Sequence, residues 1–260
     1  MASLSARALT GLPELRAGDD LAALIAEAAS SGSEGLRDGQ LVSIAHKVVS
    51  KAEGAVVSLG DVRPGERALE LAERLTAEGT GELRDPRVVQ VVLDQSAEIV
   101  RAERGVLICR THHGLLCANA GVDASNAADE ETLIVLPRDP DGSARLIRAR
   151  LRELTGARVG VLISDSFGRA WRHGQLDVAI GLAGMQPLDD WRGRADARGM
   201  ALRATWLAVA DAVAALGELV RAKDSREPVV LVDGLRRFLT DEDGPGAGAL
   251  LRPPHEDMFR

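Results

Sequence analysis

Aromatic side chains are scarce in this sequence of 260 residues: they make up 2% of it, and tyrosine does not occur at all. Apolar residues still amount to 45% of the chain, with alanine, leucine and valine abundant. The core must therefore consist mainly of aliphatic side chains. A chain of this length can bury a full core as one large domain or as two small ones.

Cysteine is limited to Cys109 and Cys117, which do not have the CxxC spacing of many metal sites. This favours buried, reduced thiols over a disulfide or a zinc site. No apolar run approaches the roughly 20 residues that span a bilayer. The N-terminus has no apolar segment typical of a secretory signal. We therefore expect a cytoplasmic protein that has no membrane partner.

The charges argue against a generic nucleic-acid surface, because 39 acidic residues outnumber 32 basic ones and the net charge is -7. A local basic pocket stays compatible with this balance. The sequence contains neither a GxxxxGK[ST] loop nor a kinase signature, and GPGAGA at residues 244–249 does not follow a predicted strand. A nucleotide would therefore have to bind in a less familiar way.

Apolar periodicity and turn residues predict an irregular alternation of helices and strands. The predicted helices are Leu21–Ala29 behind an N-cap at Gly18–Asp20, Glu66–Thr76, a stretch from Pro86 that includes Ile99, Ala144–Leu154, and Thr205–Val220. The predicted strands are Leu41–Val49, the hairpin formed by Val106–Thr111 and Leu115–Gly121, Leu133–Leu136, Val159–Ile163, Val178–Leu182 and Pro228–Val232. This order predicts a mixed α+β fold rather than a doubly wound parallel sheet.

The first candidate site follows the predicted strand Val159–Ile163. Ser164, Asp165 and Ser166 come directly after it, and further polar groups extend to Asp177 before the next apolar run begins. We interpret residues 164–177 as a polar loop between two core strands, where binding groups concentrate. Each of these residues alone is also typical of an ordinary loop, but the whole set is harder to explain that way.

The second candidate site is CANAGVDASN, in which Asp123, Ser125 and Asn126 follow a strand among small residues. Small side chains let a ligand approach the backbone, and these oxygens suit magnesium or manganese. An Asx-turn is the structural alternative.

His46, Lys47 and Lys51 lie at the end of the predicted strand Leu41–Val49. They either form a solvated strand edge or face phosphates. With Arg169 and Arg172 and the two acidic loops, they supply the groups that phosphoryl transfer requires.

Six motifs carry a more specific signal: GLPELRAGDDL, HKVVSKAEG, CANAGVDASN, LPRDPDGSA, ISDSFGRAWRHGQLDVAIG and VVLVDGL. In this order, over about residues 8–240, they resemble the coenzyme F-420:L-glutamate ligase family, also called coenzyme F-420-0 gamma-glutamyl ligases. The resemblance implies an α+β gamma-glutamyl ligase fold with mixed sheets and flanking helices, in an intertwined homodimer.

The resemblance also implies a domain organisation. We expect a single ligase domain over residues 1–245, with two intertwined α+β subdomains as an alternative, and an irregular tail at residues 246–260. We expect a stand-alone ligase domain, because the sequence contains no nitroreductase-like domain of the kind fused behind some actinobacterial members.

The activity implied by the resemblance is GTP-dependent addition of one or more L-glutamates to the deazaflavin precursor coenzyme F-420-0. The precursor carboxylate attacks the gamma-phosphate, and the glutamate amine displaces phosphate from the resulting acyl phosphate. The implied cofactor is Mg²⁺ or Mn²⁺, with K⁺ as a further candidate. The expected partners are F-420-0, L-glutamate, GTP and a second copy of the chain, without nucleic acid or membrane.

The family's motifs also imply roles for individual residues. Nucleotide contacts are implied at Leu12, Pro13, Glu14, Leu15, His46, Lys47, Lys51 and Asn126, to which we add the cations Arg221 and Lys223. Metal contacts are implied at Asp123, Asp165 and Ser166. Charge stabilisation and anchoring of an anionic substrate are our hypothesis for Arg169, Arg172 and Gln175.

One segment departs from the pattern of some archaeal members, which carry a Gly-rich loop with an acidic metal ligand after the long helix. This chain has Arg221-Ala222-Lys223-Asp224-Ser225 there, which leaves a third metal-binding carboxylate open. Two other functions stay open as well. A metal-dependent phosphohydrolase would use the same acids and arginines without glutamate, and a non-catalytic paralogue would bind nucleotide or deazaflavin without the metal.

Overall fold

The computed structural model describes residues 3–32, 35–78, 83–125, 129–222 and 224–257. In these ranges the α-helices are α1 (Leu21–Ser31), α2 (His46–Ala52), α3 (Glu66–Glu78), α4 (Pro86–Asp94), α5 (Pro140–Thr155) and α6 (Val209–Val220). The strands are β1 (Ser5–Ala8), β2 (Leu41–Ala45), β3 (Val56–Ser58), β4 (Ser96–Glu103), β5 (Val106–Thr111), β6 (Leu116–Ala118), β7 (Thr132–Ile134), β8 (Gly160–Arg169), β9 (Arg172–Ala183), β10 (Leu188–Asp190), β11 (Trp206–Ala208) and β12 (Val229–Asp233). The predicted mixed α+β class is confirmed.

The largest sheet has five strands in the order β1-β12-β2-β8-β9. Its central strands β2 and β8 run parallel, and the other neighbours are antiparallel. Successive side chains of a strand point to opposite faces. Val42 and Ile44 accordingly pack with α1 and α5, whereas Leu41 packs with α6 on the other face. Burial on both faces explains why these strands are continuous apolar runs in the sequence.

A second, smaller core lies beside the main sheet. Helices α3 and α4 pack on the three-stranded sheet β4-β5-β6 through side chains such as Leu71, Val89 and Leu107. Cys109 and Cys117 face each other across β5 and β6, and both are buried and unbridged. The expectation of buried, reduced thiols is thus confirmed. In the described part of the chain no helix is long and apolar enough to cross a membrane.

Three predicted elements have different boundaries in the structure. The strand predicted over Leu41–Val49 ends at Ala45, and helix α2 follows it at once. The apolar run is continuous because the strand and one side of the helix are both buried. The interpretation of the lysines as a solvated strand edge is therefore wrong, since they lie on α2 and β2 is an inner strand.

Tertiary pairing also overrides two predicted helices. Helix α4 ends at Asp94, and Ile99 belongs to β4, where it pairs with Cys109. Helix α6 begins only at Val209, because residues 206–208 form β11 against β10. Both boundaries are set by pairing with another strand, β5 for β4 and β10 for β11. The apolar periodicity within each predicted helix gives no information on these partner strands.

The predicted polar loop at residues 164–177 is wrong as well. Strands β8 and β9 continue through it as one antiparallel hairpin, with Ser166 opposite Asp177 and Arg169 opposite Arg172. The outer half of the hairpin leaves the core, so its side chains become polar although its backbone stays paired. Its polar groups therefore occupy fixed positions on a sheet.

Candidate active site

A cleft of about 690 Å³ lies where the parallel strands β2 and β8 end. Ala45 and Ser164 are register partners at this point, so α2 begins beside the place where β8 becomes polar. The N-terminal segment 12–15, the C-terminal end of α6 and residues 224–228 complete the walls. Sites at the carboxyl ends of parallel strands are common in proteins with open sheets.

The cleft brings together most of the residues that the sequence predicts for nucleotide and metal binding. Its walls include Leu12, Pro13, Glu14, Leu15, His46, Lys47, Lys51, Asp165, Ser166 and Arg221. They come from four separate stretches of the chain. Their roles stay predictions, but their proximity is a feature of the structure.

Lys47 connects the cleft to the second candidate site. Its Nζ lies 2.7 Å from Asp123 Oδ2 and donates to Ser125 Oγ at 2.5 Å. Burial alone raises the pKa of Asp123, but the Lys47 ammonium and the Ser125 backbone N–H outweigh it and hold the pKa below its usual value. That N–H donates to Asp123 Oδ1 at 2.6 Å, so the Asx-turn alternative is also present.

Asp165 is held at the floor of the cleft by two neighbours. The Ser166 backbone N–H donates to Asp165 Oδ1 at 2.8 Å, and Nε2 of the buried His46 lies 3.2 Å from the same oxygen. The other ring nitrogen, Nδ1, lies 3.4 Å from Ser50 Oγ.

Burial, with a smaller contribution from the Asp165 carboxylate, raises the pKa of Cys117 to about 12. The thiol therefore stays protonated and unreactive.

Asp177 is a residue that the sequence analysis did not select. It accepts hydrogen bonds from Ser164 Oγ at 2.9 Å and from Ser166 Oγ at 2.6 Å, and it pairs with Arg221. Its own backbone N–H donates to Glu218 Oε2 at 2.9 Å. An acid directly before the buried apolar run Val178–Leu182 was the available signal, but the loop interpretation concealed it.

Four further charged side chains line the cleft without having been predicted: Glu218, Asp224, Arg226 and Glu227. Arg226 has a φ of 59°, in the left-handed region that side chains other than glycine rarely adopt. Such strain concentrates at functional sites. The left-handed conformation could not be read from the sequence, because no glycine or asparagine marks the position.

Four predicted residues within the described ranges do not line the cleft, and one of them is Asp123, which pairs with Lys47. Arg169, Arg172 and Gln175 lie at the outer, exposed end of the β8–β9 hairpin, where Arg169 Nη2 donates to the His173 carbonyl at 2.5 Å. Asn126 and Lys223 fall outside the described residues.

The donors in the cleft suit a hard cation better than a soft one. Among the described residues, no group of three or more His, Cys, Asp or Glu side chains converges on a metal position. Asp165 and Ser166 nevertheless contribute a carboxylate and a hydroxyl to the lining of the cleft. Mg²⁺ commonly takes one or two carboxylates together with substrate phosphates, so this donor set fits such an ion.

The fold and the cleft define a mixed α+β protein with cations and oxygen donors facing one concave site. The chain belongs to the F420-0:gamma-glutamyl ligase family, which matches residues 11–234. It is 43% identical over 251 residues to the coenzyme F420:L-glutamate ligase of Methanothermobacter thermautotrophicus, covering 96% of each chain. It is 47% identical over 249 residues to the Methanopyrus kandleri protein of that name, covering 95% of this chain and 94% of the relative.

The similarity extends to the Halobacterium salinarum protein of the same name, which is 44% identical over 258 residues, covering 99% of this chain and 96% of the relative. The family resemblance carried by the six motifs is thereby confirmed.

Proposed function

We propose that this protein is a ligase that joins L-glutamate to coenzyme F-420-0 in the biosynthesis of coenzyme F-420, with GTP as co-substrate. The observation that carries the proposal is the convergence of Lys47, Lys51 and Arg221 with Asp165 and Ser166 in one cleft. Three cations beside oxygen donors suit the phosphates of a nucleotide. Membership of the family supports the choice of glutamate and the deazaflavin as the other two substrates.

The proposed reaction has two steps. A carboxylate oxygen of F-420-0 attacks the gamma-phosphorus of GTP, an oxygen–phosphorus bond forms, and the bond to GDP breaks. The glutamate amine then attacks the acyl carbon, loses a proton, and displaces inorganic phosphate as the amide bond forms. Positioning and charge neutralisation carry most of the catalysis in such transfers. Lys47, Lys51 and Arg221 are the groups of this chain that neutralise phosphate oxygens.

Asp165 and Ser166 would hold a divalent cation, Mg²⁺ or Mn²⁺, with Asp123 as a further carboxylate and K⁺ as a further ion. When bound, such an ion neutralises charge on phosphate oxygens. Asp123 pairs with Lys47 at 2.7 Å, so its carboxylate lies beside a cation that also faces the cleft.

Arg169, Arg172 and Gln175 keep their proposed role of anchoring an anionic substrate. Because they lie at the exposed end of the hairpin, this role concerns the parts of the substrates that project from the cleft. We also propose the homodimer that the family resemblance implies. Sedimentation equilibrium tests it: a mass of twice the chain supports the dimer, and a monomer at micromolar concentration contradicts it.

The experiment that tests the proposed function measures phosphate release from GTP with Mg²⁺ or Mn²⁺, with and without F-420-0 and L-glutamate, while product masses are recorded. Release that requires both substrates, with mass increments of one glutamate, is the expected result. Release that is indifferent to both would indicate a phosphohydrolase, and GTP binding without release a non-catalytic paralogue.

The Asp165→Ala variant tests the role of the cleft carboxylate. Because Asp165 is a proposed metal contact, we expect a loss of glutamate-dependent GTP turnover of at least about a hundredfold, as for other groups that stabilise transition-state charge. Turnover equal to that of the parent would show that the metal role is wrong.

A further inference from the structure

Asp177 is a buried carboxylate in the cleft wall that has no role in the proposed function. Its side chain is 2% exposed, and both of its oxygens accept from protein groups. Ser166 Oγ donates to Oδ1 at 2.6 Å, Ser164 Oγ donates to Oδ2 at 2.9 Å, and Arg221 Nη2 also donates to Oδ2. Asp177 is therefore better placed to hold these three side chains than to bind a ligand itself.

The hydrogen bond from Ser166 to Asp177 fixes the direction in which the Ser166 hydroxyl proton points. A serine hydroxyl has one proton and two lone pairs. Because the proton is directed to Asp177, Ser166 Oγ can meet a group in the cleft only through its lone pairs. Arg221 is held by the same carboxylate and donates to Ser164 Oγ at 2.9 Å, which fixes its guanidinium in the cleft wall.

We propose that Asp177 is a positioning residue that keeps the Ser166 oxygen in the acceptor state required to bind a divalent cation. The inference rests on the proposed function, in which Asp165 and Ser166 hold that ion. Partners that orient the direct ligands of a metal are worth about 10- to 100-fold in metal affinity. Asp177 is such a partner, contributed by β9 to the neighbouring strand β8.

The variant Asp177→Asn keeps the size of the side chain and reverses one hydrogen bond. We expect the amide oxygen to face Arg221 and Ser164, because the amide NH₂ would place donor against donor at the guanidinium. The NH₂ group then donates to Ser166 Oγ, and the serine proton has to turn toward the cleft. The dissociation constant for Mn²⁺ in the presence of GTP should rise at least about tenfold.

The measurement is a titration of the full chain with Mn²⁺ and GTP, in which the electron paramagnetic resonance signal of free Mn²⁺ reports binding. It compares the parent with Asp177→Asn, Ser166→Ala and the double variant. If Asp177 acts through Ser166, the double variant binds Mn²⁺ as weakly as Ser166→Ala alone. Additive losses in the double variant, or parent affinity in Asp177→Asn, would overturn the inference.

Two controls separate this role from general loosening of the fold. Asp211 accepts the Ala179 N–H at 3.0 Å, also between α6 and β9, but does not line the cleft. We expect Asp211→Asn to keep the Mn²⁺ affinity of the parent, and an equal loss there would contradict a specific role for Asp177. Asp177→Glu keeps the carboxylate and should bind Mn²⁺ more tightly than Asp177→Asn, and the reverse order would also contradict it.

The parent protein distinguishes failure of this inference from failure of the proposed function. A parent that binds no Mn²⁺ with GTP overturns the metal site and the inference together. A parent that binds Mn²⁺ while Asp177→Asn binds it equally well overturns the inference alone.

Discussion

Lys51 shows how one side chain combines a structural and a binding role. Its side chain is 13% exposed, and its ammonium pairs with the carboxylate of Glu14, which is 77% exposed. Glu14 belongs to the N-terminal segment, so the pair links that segment to α2 across the cleft wall. An ion pair with one partner so exposed adds little stability. Lys51 is therefore available to a phosphate at small cost.

The variant Lys51→Met should weaken GTP binding by about 10- to 100-fold, since a hydrogen bond to a charged group contributes about 1.5–3 kcal/mol. The loss also leaves Glu14 without its cation, and the free carboxylate repels phosphates. Titration of fluorescent GTP measures the dissociation constant. Arg63→Met is the control, because Arg63 donates to the Gly60 carbonyl at 2.9 Å and does not line the cleft. Equal affinities of Lys51→Met and the parent would contradict the role.

At this scale the sequence allowed the chemistry of the cleft to be predicted better than its geometry. Asp165 and Ser166 could be selected because an acid and hydroxyls interrupt a buried apolar strand. Arg169 and Arg172 were grouped with them because all lie within a few residues of one another. A β-hairpin extends by about 3.3 Å per residue along each strand, so sequence neighbours at its outer end lie far from the cleft.

Helix α1 illustrates how a single cap stabilises an element. The Asp20 side chain accepts the Ala23 N–H at 3.0 Å and pairs with Arg150 on α5 at 3.1 Å. The Ala23 N–H is the main cause that lowers the pKa of Asp20 below 3.8; burial opposes it, and the contact with Arg150 adds to the lowering. The cap was predictable, because Gly18-Asp19-Asp20 precedes an apolar-periodic run.

The variant Asp20→Ala should lower the free energy of unfolding by about 1 kcal/mol at pH 7. A carboxyl whose pKa is lower in the folded state stabilises above its unfolded pKa, near 3.8 here, and this stabilisation is lost as the pH falls through the folded pKa. The difference between parent and variant should therefore be constant from pH 7 to pH 5 and shrink below pH 3.8. Urea unfolding at pH 7, 5 and 3.5 measures it.

Asp20→Asn is the matched control for the charge, because asparagine also caps helices well. It should lose only a few tenths of a kcal/mol at pH 7, since the paired side chains of Asp20 and Arg150 are more than a third exposed and screened by solvent. A difference between parent and Asp20→Ala that grows on acidification would contradict the assigned pKa direction.

At Gly181, strand β9 packs directly against the first residue of α5. A Cβ at this position would lie 2.4 Å from the Pro140 carbonyl oxygen, a backbone atom that cannot rotate away. Gly181→Ala should therefore destabilise the protein by about 1–3 kcal/mol, as overpacking does. Gly168→Ala is the control on the same hairpin, because its Cβ would meet nothing within 4 Å. Thermal or urea unfolding measures the stability of both variants. Equal stabilities of Gly181→Ala and Gly168→Ala would contradict the close contact at Gly181.

Helices with apolar periodicity in their own sequence could be predicted. Strand segments that form only because they pair with another strand could not. Helices α1, α3 and α5 have clear apolar periodicity; α1 and α3 start at their predicted residues, whereas α5 starts at Pro140, four residues before the predicted Ala144. The continuation of β8 and β9 beyond residue 164 depends on their mutual ladder, since their side chains there are polar. In the same way, β11 depends on β10, and the N-terminal half of β4 on β5.

On the scale of the whole molecule, the cleft is a product of the topology. Four parts of the chain form its walls although they lie up to about 200 residues apart in the sequence: segment 12–15, α2, the end of β8 and the end of α6. They come together because β2 and β8 are parallel neighbours. The spacing of these residues in the sequence does not show that they are close in space. The six motifs nevertheless allowed the set of cleft residues to be named, because the family resemblance carries the arrangement that spacing lacks.

A ligand that bridges these segments should stabilise the entire fold. A ligand that binds only the folded state at a hundred times its dissociation constant adds about 2.7 kcal/mol. For a chain of this size that corresponds to a rise in Tm of about 5–10 °C. We expect this rise with GTP and Mg²⁺, measured by calorimetry, and a much smaller one in Lys51→Met at the same GTP concentration. A GTP-induced rise that is equal in parent and variant would mean that the nucleotide binds elsewhere, because Lys51 lines this cleft and α2 spans its wall.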